Sequence, residues 1–252
     1  MKKFTGFSVM GVIIAILVVG ILGVATYYII DGNNKATDYN SYDFNSVIEG
    51  NKDNGGIGDH VKGSADAPVL IFEYADYQCS GCASANPKVN QAIKELDGKL
   101  GVVYRSFILS YHNNGTAAAS AAEAAGLQGY WKEYADKLFE EQAEWASASA
   151  SERTALFDGY FEEVSNGEGD MGKFNQDIAS EAVSKKISFD MGIGKRVDVS
   201  ATPAFYIDGQ FIDWGHPGEV TINGKKISWD SARSGDDFVK LLKDIVTAKL
   251  GG

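Results

Sequence analysis

The sequence predicts an α/β domain interrupted by an all-helical insertion and held behind one N-terminal transmembrane helix. Three observations predict it. The first is a charge-free run from Phe7 to Ile30. The second is the alternation of short apolar runs, which suit buried strands, with apolar stripes at helical spacing. The third is an interval, about 115–197, where helical stripes follow one another with no strand between them.

The charge-free run comes first along the chain. Its 24 positions, at about 1.5 Å per residue, exceed the roughly 30 Å of a bilayer's hydrocarbon. Lys2 and Lys3 precede it and Asp31 follows it, so the positive-inside bias leaves a short cytoplasmic tip and sends the rest of the chain across the membrane. Gly23 and Ala25 stand two apart like the small residues of a cleavage site, so a cleaved signal peptide is the alternative. The run continues through Tyr27, Tyr28, Ile29 and Ile30, well past an ordinary signal core of about 7–15 residues, which favours an anchor over 1–30.

Residues 31–62 are rich in Asn, Asp and Gly and predict a polar tether, part of which docks through Tyr39, Tyr42, Phe44, Val47 and Ile48. Asn51 and Asp53 hint at a calcium loop, but Gly55 and Lys62 stand where the third early ligand and the final Glu belong. The folded domain is then 63–252. Val69 to Phe72 is a buried strand, Ala83 to Leu100 a helix kinked at Pro87, and Val102 to Leu109 a second strand. The insertion opens with the Ala-rich stretch Thr116 to Leu127. It continues with stripes led by Trp131, Tyr134 and Leu138, by Phe157 and Phe161, and by Phe174 and Ile178, all read as core. Asp208-Gly209 turns a hairpin between Ala204–Ile207 and Gln210–Ile212, and Asn223-Gly224 turns a second between Val220–Ile222 and Lys225–Ser228. A helix capped by Asp236 or Asp237 and faced by Phe238, Leu241, Leu242 and Ile245 closes the chain.

Charge narrows the function. Beyond the anchor, 21 basic residues face 34 acidic ones, a net charge of −13, which excludes nucleic acid as a partner and suits a solvated surface. No heptad or extra apolar patch argues against a monomer.

The only two cysteines are Cys79 and Cys82, separated by Ser80 and Gly81. A disulfide between them closes so short a loop that it stabilises folding little, which disfavours a structural staple. Zinc needs about four ligands. There is no second Cys pair, and His60, His112 and His216 are scattered. A redox pair has a mechanism: a Cys at a helix start faces unpaired backbone N–H groups and the positive end of the dipole, which favours its thiolate. Cys79 is placed to attack and Cys82, one turn inside the helix, to resolve the mixed disulfide.

The run from Glu73 to Cys82 resembles the active-site strand and helix start of DsbA-type thiol:disulfide oxidoreductases of the thioredoxin superfamily. Thr202-Pro203-Ala204-Phe205-Tyr206-Ile207-Asp208-Gly209 is similar to their cis-proline strand and hairpin, and 126–131 with 138–142 to their helical insertion. The likeness covers about Gly63 to Leu250. It implies a thioredoxin fold with the insertion between the second strand and the cis-Pro hairpin. It implies that Pro203 is the cis-proline, that Thr202 tunes the redox pair and offers its backbone to an extended substrate, and that Glu73 is the buried acid exchanging a proton with Cys82. It also implies exported clients with free cysteines, a quinone-linked membrane reoxidase, and no cofactor beyond the redox-active Cys79–Cys82 disulfide. Glu73 exposed on its strand is the competing reading.

One departure stands out. Strongly oxidising members carry Pro and His between the cysteines, and Ser80-Gly81 lacks that His and its help to the thiolate. An oxidase remains the first expectation, with a reductase or isomerase as the alternative. A non-enzymatic binding domain with an inert cysteine pair, working through Trp214, His216 and Trp229, is the expectation from another class. Asp76 and His112 are read as a strand end and a solvated loop residue, outside the catalytic set.

Overall fold

The computed structural model describes residues 37–233 and 236–251. The anchor expected over 1–30 lies outside the described residues, and no helix among them is long and apolar enough to cross a membrane. A five-stranded sheet forms the centre. Its strands are β1 (His60–Gly63), β2 (Val69–Ala75), β3 (Leu100–Ser106), β4 (Ala204–Ile207) and β5 (Gln210–Ile212), in spatial order β1-β3-β2-β4-β5. β2 and β3 run parallel, joined through helix α1 (Ser80–Leu96), while β1, β4 and β5 each pair antiparallel with their neighbour.

Parallel pairing needs a crossover, and α1 supplies it. Its apolar face, Ala85, Val89 and Ala92, packs with the final helix α8 (Asp237–Leu250) on Ile71, Val102 and Phe205 of the sheet. β2 is buried on both faces, so it reads as a continuous apolar run and not an alternating one. The helix passes through Pro87 unbroken and starts earlier than the sequence suggests, directly after Cys79.

The insertion holds α2 (Gly115–Gly126), α3 (Trp131–Glu140), α4 (Gln142–Trp145), α5 (Ala150–Val164), α6 (Met171–Ile178) and α7 (Glu181–Arg196). Alanines of α2 let helices approach closely around Tyr134, Trp145, Phe161 and Phe174. Phe161 and Phe174 stack at 4.2 Å, so the aromatic stripes are core. The second hairpin, β6 (Gly218–Ile222) and β7 (Lys225–Trp229), forms its own two-stranded sheet.

The segment read as a polar tether is different from Tyr39 onward. It lies in one compact unit with the rest of the domain. Its last residues form β1, and Ile48 and Asn54 are buried. The reason is electrostatic. Buried Arg105 on β3 donates to the carbonyls of Phe44 (2.8 Å) and Ser46 (2.9 Å) and pairs with Asp59 at 2.7 Å. Asp59 accepts from the Ile48 N–H at 2.9 Å, and Lys186 bridges Asp59 to Asp190. The two buried cations facing two buried acids keep the cluster neutral, and composition alone cannot reveal such pairing.

Candidate active site

β2 sits centrally, between β3 and β4, and its end projects the cysteines onto α1. Cys79 is the residue before the first helical turn, with extended backbone angles of φ −77° and ψ 121°. Its own N–H is taken by the Asp76 carbonyl and its carbonyl receives the Ala83 N–H. The first-turn N–H groups of Gly81 and Cys82 are left facing its sulfur. Both cysteines are free thiols.

The two sulfurs have opposite electrostatics. Hydrogen bonding from the Cys82 thiol pulls the Cys79 pKa down to about 5, against its burial, with further help from Thr202 and the N–H groups of Cys82 and Gly81. Burial pushes Cys82 well above the ordinary thiol range, and its bond to Cys79 and the charge of Glu73 push it further. The outer sulfur is therefore the thiolate and the inner one the thiol.

The Thr202–Pro203 bond is cis, and β4 brings it opposite the helix start. When protonated, Cys79 donates its S–H to the Thr202 carbonyl, 3.2 Å away. Thr202 Oγ1 is buried and has no other hydrogen-bond partner among the described residues, so it is free to turn to the thiolate. Gly81 lies against this loop: a Cβ there would stand 3.1 Å from Pro203 Cδ, a tight contact, and 3.6 Å from the Cys79 sulfur, an ordinary one. The dipeptide Ser80-Gly81 thus lacks a His and leaves the proline uncrowded.

Glu73 lies mid-strand between Tyr104 of β3 and Phe205 of β4 and is only 3% exposed, which disposes of the exposed-strand reading. Burial raises its pKa to about 7, with Lys62 opposing and Asp136 reinforcing. Those two were not legible in the sequence. Lys62 of β1 is buried and bonds Asn86 and, at 2.6 Å, Asp136 of α3, which also accepts from Asn86 and Asn90 of α1. Lys62 holds Asp136 down to about 2 despite burial.

Asp76 and His112 are more engaged than a strand end and a solvated loop. Asp76 is buried and accepts from the N–H groups of Gln78 and Leu109, both at 2.9 Å, with His112 Nδ1 2.7 Å away. The insertion grips the same loop. Gln142 donates to the carbonyls of Tyr77 (2.6 Å) and Cys79 (3.1 Å). Gln78 donates to Ala146 and accepts from the Asn114 N–H. A single amide side chain in a helix gives no local signal of such a role; the only hint was that Gln142 falls within a stretch resembling the family.

The structure therefore brings Cys79, Cys82, Thr202, Pro203 and Glu73 together. The arrangement suits thiol–disulfide exchange: an attacking thiolate, a resolving thiol, a proton acceptor of near-neutral pKa and an open backbone edge.

A family model described as thioredoxin matches residues 56–244. The Na(+)/H(+) antiporter NhaA 1 of Salinispora arenicola is 32% identical over 178 residues, 70% of this chain and 25% of the antiporter. NhaA 1 of Mycolicibacterium vanbaalenii is 33% identical over 156 residues, 60% of this chain and 23% of that protein. The chain spans about a quarter of the length of these curated relatives. Among solved structures, alpha-DsbA1 of Wolbachia pipientis matches with a TM-score of 0.56 at 23% identity, covering 77% of this chain and 93% of that one. Oxidised BdbD of Bacillus subtilis matches with a TM-score of 0.55 at 18% identity, covering 82% and 100%. ScsC of Proteus mirabilis, in a transitional conformation, matches with a TM-score of 0.57 at 12% identity, covering 92% and 89%. At these identities the likeness is one of fold.

Proposed function

Because the chain belongs to the thioredoxin family, we propose that it is an extracytoplasmic thiol:disulfide oxidoreductase that introduces disulfides into exported proteins through Cys79 and Cys82. One observation carries this reading: Cys79, drawn down to about 5, stands at a helix start 3.2 Å from the Thr202 carbonyl of the cis-proline loop.

In the oxidised enzyme, a client thiolate attacks the Cys79 sulfur. A client–Cys79 bond forms, the Cys79–Cys82 bond breaks, and Cys82 leaves as a thiolate. Cys82 has a raised pKa and takes up a proton, for which Glu73, near neutral in pKa, is the donor. A second client thiolate then attacks the client sulfur of the mixed disulfide and expels Cys79 as a stable thiolate. The client loses two electrons and the cysteine pair gains them. For renewal, the Cys79 thiolate attacks a disulfide of a quinone-linked membrane partner and Cys82 resolves, returning two electrons to that partner. No further cofactor enters.

A stabilised Cys79 thiolate stabilises the reduced enzyme, which makes its disulfide more oxidising; this favours an oxidase over a reductase despite the absent histidine. The anchor expected over 1–30 places the chemistry at the outer membrane face, where clients emerge. In cells, Cys82→Ser should accumulate mixed disulfides between Cys79 and clients, and Cys79→Ser should accumulate none. A folded Cys82→Ser protein that traps no client would instead favour the inert binding domain.

A further inference from the structure

A groove of about 460 Å³ runs beside the cis-proline loop, lined by Thr202, Pro203, Tyr206, Phe211, Trp214 and Arg233. A client held on Thr202 has this groove beside it. Phe211 is 48% exposed and rests on Tyr206 at 5.4 Å, so the floor offers apolar contact. Its lining carries one cation, Arg233, beside Asp198 and Asp213.

Two cations meet on one indole there. The Arg233 guanidinium lies 5.8 Å and the Lys88 ammonium 5.6 Å from the Trp214 ring, and Lys88 also donates to the Arg233 carbonyl. Neither has a carboxylate partner among the described residues, whereas most other surface lysines pair with one. The Arg233 head lies against Gly215, where a Cβ would stand 2.5 Å from its Nη2. Asp213, also on the groove, is engaged by His216 at 2.9 Å and by the Gly215 N–H. Asp198 is exposed on the groove near Tyr206. Like charges held together without a counter-ion repel, and an incoming anion relieves that repulsion.

We propose that Arg233, supported by Lys88, selects client segments that carry a carboxylate close to the reacting cysteine. The inference rests on the oxidase reading of the same site and adds a substrate class to it. An extended acidic peptide is favoured over an anionic membrane surface because Arg233 lines the groove that contains Thr202 and Pro203, with Lys88 on the same indole.

The test is stopped-flow oxidation of two-cysteine peptides by the oxidised protein, with Glu, Gln or Lys placed near the first cysteine. The Glu peptide should react roughly fivefold faster than the Gln peptide at low ionic strength and lose that advantage in high salt. The Glu/Gln rate ratio should fall to about one in Arg233→Gln, and Arg233→Glu should prefer the Lys peptide. A ratio of one in the wild type, or a ratio unchanged in both variants, overturns the inference and leaves the oxidase reading standing. Charge-blind peptides combined with Arg233-dependent binding to phosphatidylglycerol vesicles overturn it in favour of a membrane surface. Failure to oxidise any peptide overturns the oxidase reading and the inference together.

Discussion

At Cys79 the depressed pKa sets two observable quantities. Alkylation of the reduced protein by iodoacetamide should be half-maximal near pH 5, four units below an ordinary thiol at 9.0. The linkage follows in sign: a group depressed by folding stabilises the reduced fold fully above pH 9, and that contribution is lost as the pH falls toward 5. Glu73 has the opposite sign, because burial raises it from 4.5 to about 7. The folded state holds its proton more tightly, so stability declines as the pH rises from 4.5 to about 7 and is flat beyond. Glu73→Gln removes that decline. Compared with the wild type, it should gain on the order of 3 kcal/mol between pH 4.5 and pH 8 in urea denaturation. It should also slow formation of the mixed disulfide from the oxidised protein, since the leaving Cys82 thiolate loses its proton donor. Equal pH dependence of stability in the two proteins would contradict a buried, neutral Glu73.

At the scale of elements, single acids tie several segments together. Asp136 of α3 joins β1 through Lys62 to α1 through Asn86 and Asn90. Asp136→Ala leaves the Lys62 ammonium buried without a carboxylate and should cost about 3 kcal/mol. It should also lower the Glu73 pKa, because the acid that raises it is gone while Lys62 remains, a shift readable by carboxyl NMR. Asp59 does the same for the N-terminal arm. Asp59→Ala strands Arg105 and Lys186 and should cost about 3–5 kcal/mol, with faster amide exchange from Phe44 to Ile48. These pairs also explain which elements the sequence revealed. β2 and the β4–β5 hairpin were legible because an apolar run and an Asp-Gly turn are local signals. β1 was not. His60 and Lys62 read as a polar tether, because the partners that bury them, Glu123 and Asp136, lie 63 and 74 residues further on.

Across the whole molecule, the site lies where sheet and helical insertion meet. Gln142 and Asn114 of the insertion hold the loop that carries Cys79, while β4 brings Pro203 from the opposite side. Gln142→Leu should leave the fold intact yet slow exchange by about tenfold, since the Tyr77 and Cys79 carbonyls lose their donor and small misplacement is costly at a reacting centre. The cysteine spacing could be read directly, whereas Thr202, Pro203 and Glu73 were legible only through the resemblance of their stretches to a known family. The roles of Lys62, Asp136 and Gln142 exist only after folding. If the Cys79 thiolate makes this pair an oxidant, equilibration with glutathione reads that poise. Incubated in millimolar reduced glutathione with graded traces of the disulfide, Cys79 and Cys82 should be found almost entirely as thiols. A pair that stays bridged under those conditions is not an oxidant.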